Sequence, residues 1–136
     1  LGTFLPIRVD DITTHKMHQE YFEIPTQTVE AIQAAKQSGH RVVALGTTIA
    51  RTLEYAYDEI LHQPPHRITG EADIFIYPGY AFQAIDALIT NFHMPESTVL
   101  MLTAAFAGWD TLKPAYEHAV AEKYHFFSYG DSMIIL

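Results

Sequence analysis

The chain has 136 residues, a formal charge of −8 with its eight histidines neutral, 49% apolar side chains and no cysteine. That balance excludes disulfides, thiolate metal sites and cysteine nucleophiles, and it supplies enough apolar material for the core of one domain. No run approaches the ~18 apolar residues of a membrane span, the start lacks the basic-then-apolar pattern of a signal peptide, and the acidity argues against a broad phosphate-binding face.

A cytoplasmic protein is expected, with the monomer favoured. The chain opens on an apolar run without an initiator methionine, which suggests a piece of something longer.

In chain order, "FLPIRV" reads as an edge strand interrupted by Pro6. A loop then leads into a strand near residues 20–24. "PTQTVEAIQAAKQSGH" reads as a helix, with threonines to cap it, apolar positions at helical spacing and Gly39 to stop it. "RVVALG" has the length and continuous apolarity of a strand covered on both faces. "TTIARTLEYAYDEILHQ" predicts one helix, ended by Pro64 and Pro65.

A further strand is predicted over residues 72–77, and another over 88–90. A helix with Pro95 in its first turn follows and stops at Gly108. A helix over residues 112–124 and a final strand complete the order. The alternation predicts an α/β layered fold with a mostly parallel sheet flanked by helices.

In such sheets ligands gather at the carboxyl ends of strands, where loops lead into helix amino termini. Two stretches have that construction. "LGTTIART" places Gly46, Thr47 and Thr48 at a helix start, with Arg51 one turn on, a set suited to a carboxylate or phosphate. "TNFHMPEST" concentrates Asn91, His93, Ser97 and Thr98 between two apolar runs.

His15 and His18 in "THKMH" are three apart, but no third ligand at a metal-site spacing accompanies them. No metal is expected. A substrate loop carrying His15 and Lys16 fits better, with a metal-dependent hydrolase as the alternative. Glu71 and Asp73 can hold ribose hydroxyls, act in proton transfer or simply be solvated. Tyr129 and Asp131 fall in a tight turn.

The segments "GTFLPIRVDDITTHKMHQEYFEI", "GTTIARTLE", "ITGEADIFIYPGY", "TNFHMPESTVLMLTAAFAG" and "FFSYGDSMIIL" together resemble successive blocks of the S-adenosylmethionine:tRNA ribosyltransferase-isomerase family. The resemblance implies that residues 1–136 are the carboxyl-terminal portion of an α/β catalytic domain, in a larger two-domain enzyme whose β-barrel-like domain is absent here.

It also implies a reaction: the ribosyl part of S-adenosylmethionine, a consumed co-substrate, passes to 7-aminomethyl-7-deazaguanine at the tRNA wobble position. The sugar isomerises to give epoxyqueuosine, and adenine and methionine leave. On that reading His93, then His15, are candidates for proton transfer, with Glu71 and Asp73 for ribose or the sulfonium. Thr47, Thr48, Arg51, Asn91, Ser97 and Thr98 would hold the co-substrate. Arg8, Lys16, Tyr129 and Asp131 would contact tRNA or its base. The rival is a non-catalytic nucleoside- or partner-binding fragment.

Overall fold

The computed structural model describes residues 17–136. The strand expected over residues 4–9, and with it Arg8, His15 and Lys16, lies outside the described residues.

Strand β1 (Glu20–Ile24) leads into α1 (Thr26–Gln37) through Pro25, whose carbonyl accepts the first helical bonds. Val29 and Ile32, three apart, are the buried face of α1. Gly39, at φ 70°, ends it as the sequence predicts, and the next amide, His40 N–H, reaches back to Ala35 O at 2.8 Å. Strand β2 (Val43–Leu45) follows, then α2 (Thr47–Tyr55) and α3 (Tyr57–His62). The single helix expected here is broken at Ala56, although Ala56 still donates to Thr52 O and accepts from Ile60 N–H.

Strand β3 (Ile68–Ala72) ends where the predicted strand was to begin. It pairs antiparallel with β1, from Ile24 opposite Ile68 to Glu20 opposite Ala72. Ile76, within the predicted strand, is buried. Gly70 is forced by its partner: a β-carbon there would lie 3.0 Å from the Phe22 ring.

Strand β4 (Ala87–Asn91) is the centre of the second sheet, ordered β2-β4-β5, where β5 is Ser132–Ile135. The pair β2–β4 is parallel and joined by a helical crossover, as expected for an α/β unit. The chain has the expected α/β architecture; the β4–β5 and β1–β3 pairs are antiparallel, so among the described residues parallel pairing is confined to β2–β4. Strand β5 runs antiparallel because the loop before it is pinned to the end of β4 by the Phe92 carbonyl and the Asn91 amide, so the strand starts from that end.

Between them lie α4 (Thr98–Ala107) and α5 (Trp109–Ala121), hinged at Gly108. Helix α4 begins at Thr98 with Ser97 as its cap, so Pro95 sits in the preceding turn, not in the helix. The core gathers Phe22 and Ile24 from β1, Val29 and Ile32 from α1, and Ile60 and Leu88.

Candidate functional site

Because β2 and β4 are parallel, their carboxyl ends lie side by side, and each is followed by a helix start. Between these ends opens a cleft of about 370 Å³, in the size range of small-molecule sites. Gly46, Thr47 and Thr48 line it from the β2 side, and Thr90, Asn91, His93 and Ser97 from the β4 side. A second recess, room for little more than a water, adjoins it through Thr47, Thr48 and Val99 and reaches Arg51 and Thr98. The two polar stretches singled out in the sequence thus meet.

Gly46 carries φ 96° and ψ 152°, a region open to glycine almost alone. Its N–H donates to Ile89 O at 2.8 Å and its carbonyl accepts from Ala50 N–H. The chain turns there from strand into helix, and no side chain among the described residues caps α2. The first-turn N–H groups of α2 therefore face the cleft, a favourable setting for an anion. Gly46→Ala is expected to cost about 1–3 kcal/mol, read as a lowered thermal midpoint and weakened anion binding together.

His93 is half-buried. Its Nε2 lies 2.8 Å from Thr90 Oγ1, and its backbone N–H donates to the Tyr116 hydroxyl at 2.8 Å. Tyr116 is braced in turn by Phe92 and Phe126, with ring centroids at 5.2 and 5.9 Å. Burial, which penalises the imidazolium, pushes His93 down to about 4. The ring is therefore neutral at pH 7.

The unfolded chain takes up a proton near 6.5 that the folded ring refuses until about 4. Stability is thus lost as pH falls across that window, by at most about 3 kcal/mol given the partial exposure, and no further below it. Urea midpoints between pH 4 and 8 should show a shallower acid limb in His93→Gln than in the parent.

Ser97 is spent on structure: its hydroxyl donates to Met94 O at 2.7 Å and accepts from Leu100 N–H at 3.2 Å. Asn91 donates through Nδ2 to Gly130 O and Asp131 O, both at 3.2 Å, and so fastens the loop before β5 to the end of β4. Asp131 holds that loop again, accepting from His125 N–H at 2.7 Å, while Tyr129 is fully exposed. Gly130 fits because it has no side chain; a β-carbon would stand 2.1 Å from His125 O. Gly130→Ala is expected to displace the loop, seen as faster amide exchange over residues 125–131.

Arg51 is buried and its guanidinium is taken by Glu20 of β1, so its charge is already matched where the smaller recess begins. Glu71 projects from β3 into solvent and Asp73 is exposed just beyond it; neither lines the cleft or the recess. Among the described residues no three His, Asp or Glu side chains converge as a metal site, and no helix is long and apolar enough to cross a membrane.

Sequence reasoning missed Leu45, Met94, Val99, Phe127 and Ser128 in the cleft wall. Leu45 was within reach, since it ends a strand beside Gly46; the others depend on loop geometry.

Residues 1–135 match the family model described as queuosine biosynthesis protein. The protein named S-adenosylmethionine:tRNA ribosyltransferase-isomerase of Chlorobium luteolum is 59% identical over all of this chain and 40% of its own length. The one of Chlorobium chlorochromatii is 57% identical over 99% and 40% respectively. A crystal structure titled S-adenosylmethionine tRNA ribosyltransferase, from Thermotoga maritima, superposes with a TM-score of 0.78 at 46% identity, covering 85% of this chain and 40% of that one. The chain spans about two-fifths of the length of these relatives, and it belongs to the queuosine biosynthesis protein family.

Proposed function

We propose that this chain forms part of the active site of an S-adenosylmethionine-dependent tRNA modification enzyme, with the cleft between β2 and β4 as its co-substrate pocket. The observation that carries the reading is the neutral, half-buried His93 in the same cleft as the open start of α2. The relatives' names supply the substrates: S-adenosylmethionine and tRNA.

The reaction on this reading is the one the family resemblance implies. The aminomethyl nitrogen of 7-aminomethyl-7-deazaguanine at the wobble position bonds to the ribosyl carbon. Adenine and methionine depart, and the sugar closes to the epoxycyclopentanediol of epoxyqueuosine.

The α2 N–H groups with Thr47 and Thr48 receive the methionine carboxylate. His93, within the cleft, takes the proton adjacent to the sulfonium. At about 4 it is a base at pH 7, whereas only about one molecule in a thousand would hold the proton that protonating adenine demands. Arg51, held by Glu20, frames the recess beside this pocket. The described residues offer few free cations near the cleft, so tRNA affinity falls to the rest of the protein.

The test is binding followed by turnover in the full-length protein. S-adenosylmethionine should bind, and its binding should weaken in Thr47→Val. Adenine and methionine should be released only with tRNA bearing the aminomethyl base. Failure to bind S-adenosylmethionine would sink the reading, and the non-catalytic binding fragment would take its place.

A further inference from the structure

The loop before β5 presents Phe127 in a conformation its side chain disfavours. Its φ is 71°, inside the left-handed region, where a bulky residue rarely sits. Lys123 also has a positive φ, but it lies just past the end of α5, where chains commonly turn that way. Phe127 has no helix end to explain it.

Both of its backbone groups are committed: its N–H donates to Phe92 O at 2.9 Å, and its carbonyl accepts from Gly130 N–H at 2.9 Å. Asn91 and Asp131 tie down the rest of the turn. A rigid, over-determined loop is thus used to hold a phenyl ring that remains 55% exposed. Strain kept in this way clusters where a ligand is held.

The ring's surroundings say what it would hold. Phe127 lines the cleft with Ser128 beside it, and Phe126 backs it with ring centroids 6.4 Å apart. Leu45, 70% exposed, lines the same cleft from the end of β2. The β4 side of the cleft lies between them: Leu45 pairs with Ile89, and Phe127 is bonded to Phe92, three residues further on. The two apolar side chains thus line the cleft from opposite sides, and its volume of about 370 Å³ admits a flat ring. We propose that Phe127 is a stacking platform for a purine-type heterocycle, which enters the cleft with its face against the phenyl ring and its edge toward Asn91 and Ser128.

The proposal rests on the cleft being the substrate pocket, and two substrates carry such a ring: the adenine of S-adenosylmethionine and the deazaguanine of tRNA.

Phe127→Gly removes the ring while relieving the backbone, since glycine adopts a positive φ freely; loss of folding therefore cannot mimic loss of stacking. In the full-length protein its thermal midpoint should equal or exceed that of the parent. Titration calorimetry with adenosine and with S-adenosylmethionine should show about tenfold or greater weakening in Phe127→Gly, and near-parent binding in Phe127→Tyr. Unchanged binding of both, with a KM for the precursor tRNA raised by a similar factor, would assign the stacked ring to the deazaguanine. If neither quantity moves, the platform is overturned and the pocket stands. If the parent itself binds no S-adenosylmethionine, the pocket reading falls and the platform with it.

Discussion

Replacing His93 with glutamine is expected to slow adenine release by about 10²–10⁴-fold, the usual worth of a positioned acid–base group, with KM for S-adenosylmethionine within a few-fold of the parent. Glutamine can keep a hydrogen bond to Thr90 but cannot accept a proton near neutral pH. The backbone bond from residue 93 to Tyr116 does not involve the ring, so the loop and the aromatic cluster beneath it survive the change.

The pH profile gives a second reading of the same residue. A base must be unprotonated to act, so in the parent kcat/KM should fall only as pH drops toward about 4, and not near 6.5. An acid limb centred at 6.5 would assign the proton transfer to an unburied histidine, and equal turnover in His93→Gln would remove His93 from the chemistry. Tyr116→Phe serves as the companion: it removes the hydroxyl that accepts the His93 N–H and leaves the imidazole in place. Its effect should be about tenfold at most, without moving the acid limb.

The sequence already showed the two halves of this cleft. "RVVALG" and "DALIT" are apolar enough to be strands, each ends in a cluster of hydroxyl, amide or imidazole groups, and parallel pairing brings such ends together. Helix α1 was legible for the same kind of reason, because Val29, Ile32 and Gly39 keep to helical spacing and a helical stop.

What could not be read depends on contacts between distant residues. The partner of Arg51 is Glu20, 31 positions earlier, and nothing in "TTIART" signals that the guanidinium is already neutralised. Strand β3 was not legible, because "ITGEA" carries little apolar patterning and its partner β1 is far away in the chain. Phe127 gave no sign, since a positive φ on a residue other than glycine is imposed by the hydrogen bonds around it.

The strongest stability effect is expected at Glu54, which in the sequence looks like an ordinary solvated position of α2. It is 5% exposed, and its carboxylate accepts three consecutive backbone N–H groups: Gln83 at 3.0 Å, Ala84 at 2.9 Å and Ile85 at 3.1 Å. The Tyr80 hydroxyl adds a fourth bond at 3.3 Å. Burial, with the Glu54 charge beside it, pushes Tyr80 up to about 12, so the phenol stays a donor across the whole working range.

Among the described residues these amides join no ladder, and one side chain serves as their acceptor. The segment they hold runs directly into β4, the strand that carries Thr90 and Asn91 into the cleft. Glu54→Ala leaves three buried or half-buried N–H groups without an acceptor and a void where the carboxylate was. It should cost about 3–5 kcal/mol and lower the thermal midpoint by about 10 °C or more.

Glu54→Gln separates charge from shape. One oxygen can still serve Ala84 and Ile85, but the new amide group turns a donor toward Gln83 N–H and the Tyr80 hydroxyl, so about half the loss is expected. Tyr80→Phe removes only the longest of the four bonds and should cost about 1 kcal/mol. An order of damage with Tyr80→Phe mildest, Glu54→Gln next and Glu54→Ala worst would establish that the carboxylate builds this loop. A midpoint for Glu54→Ala within 2 °C of the parent would show that the loop reaches β4 without it.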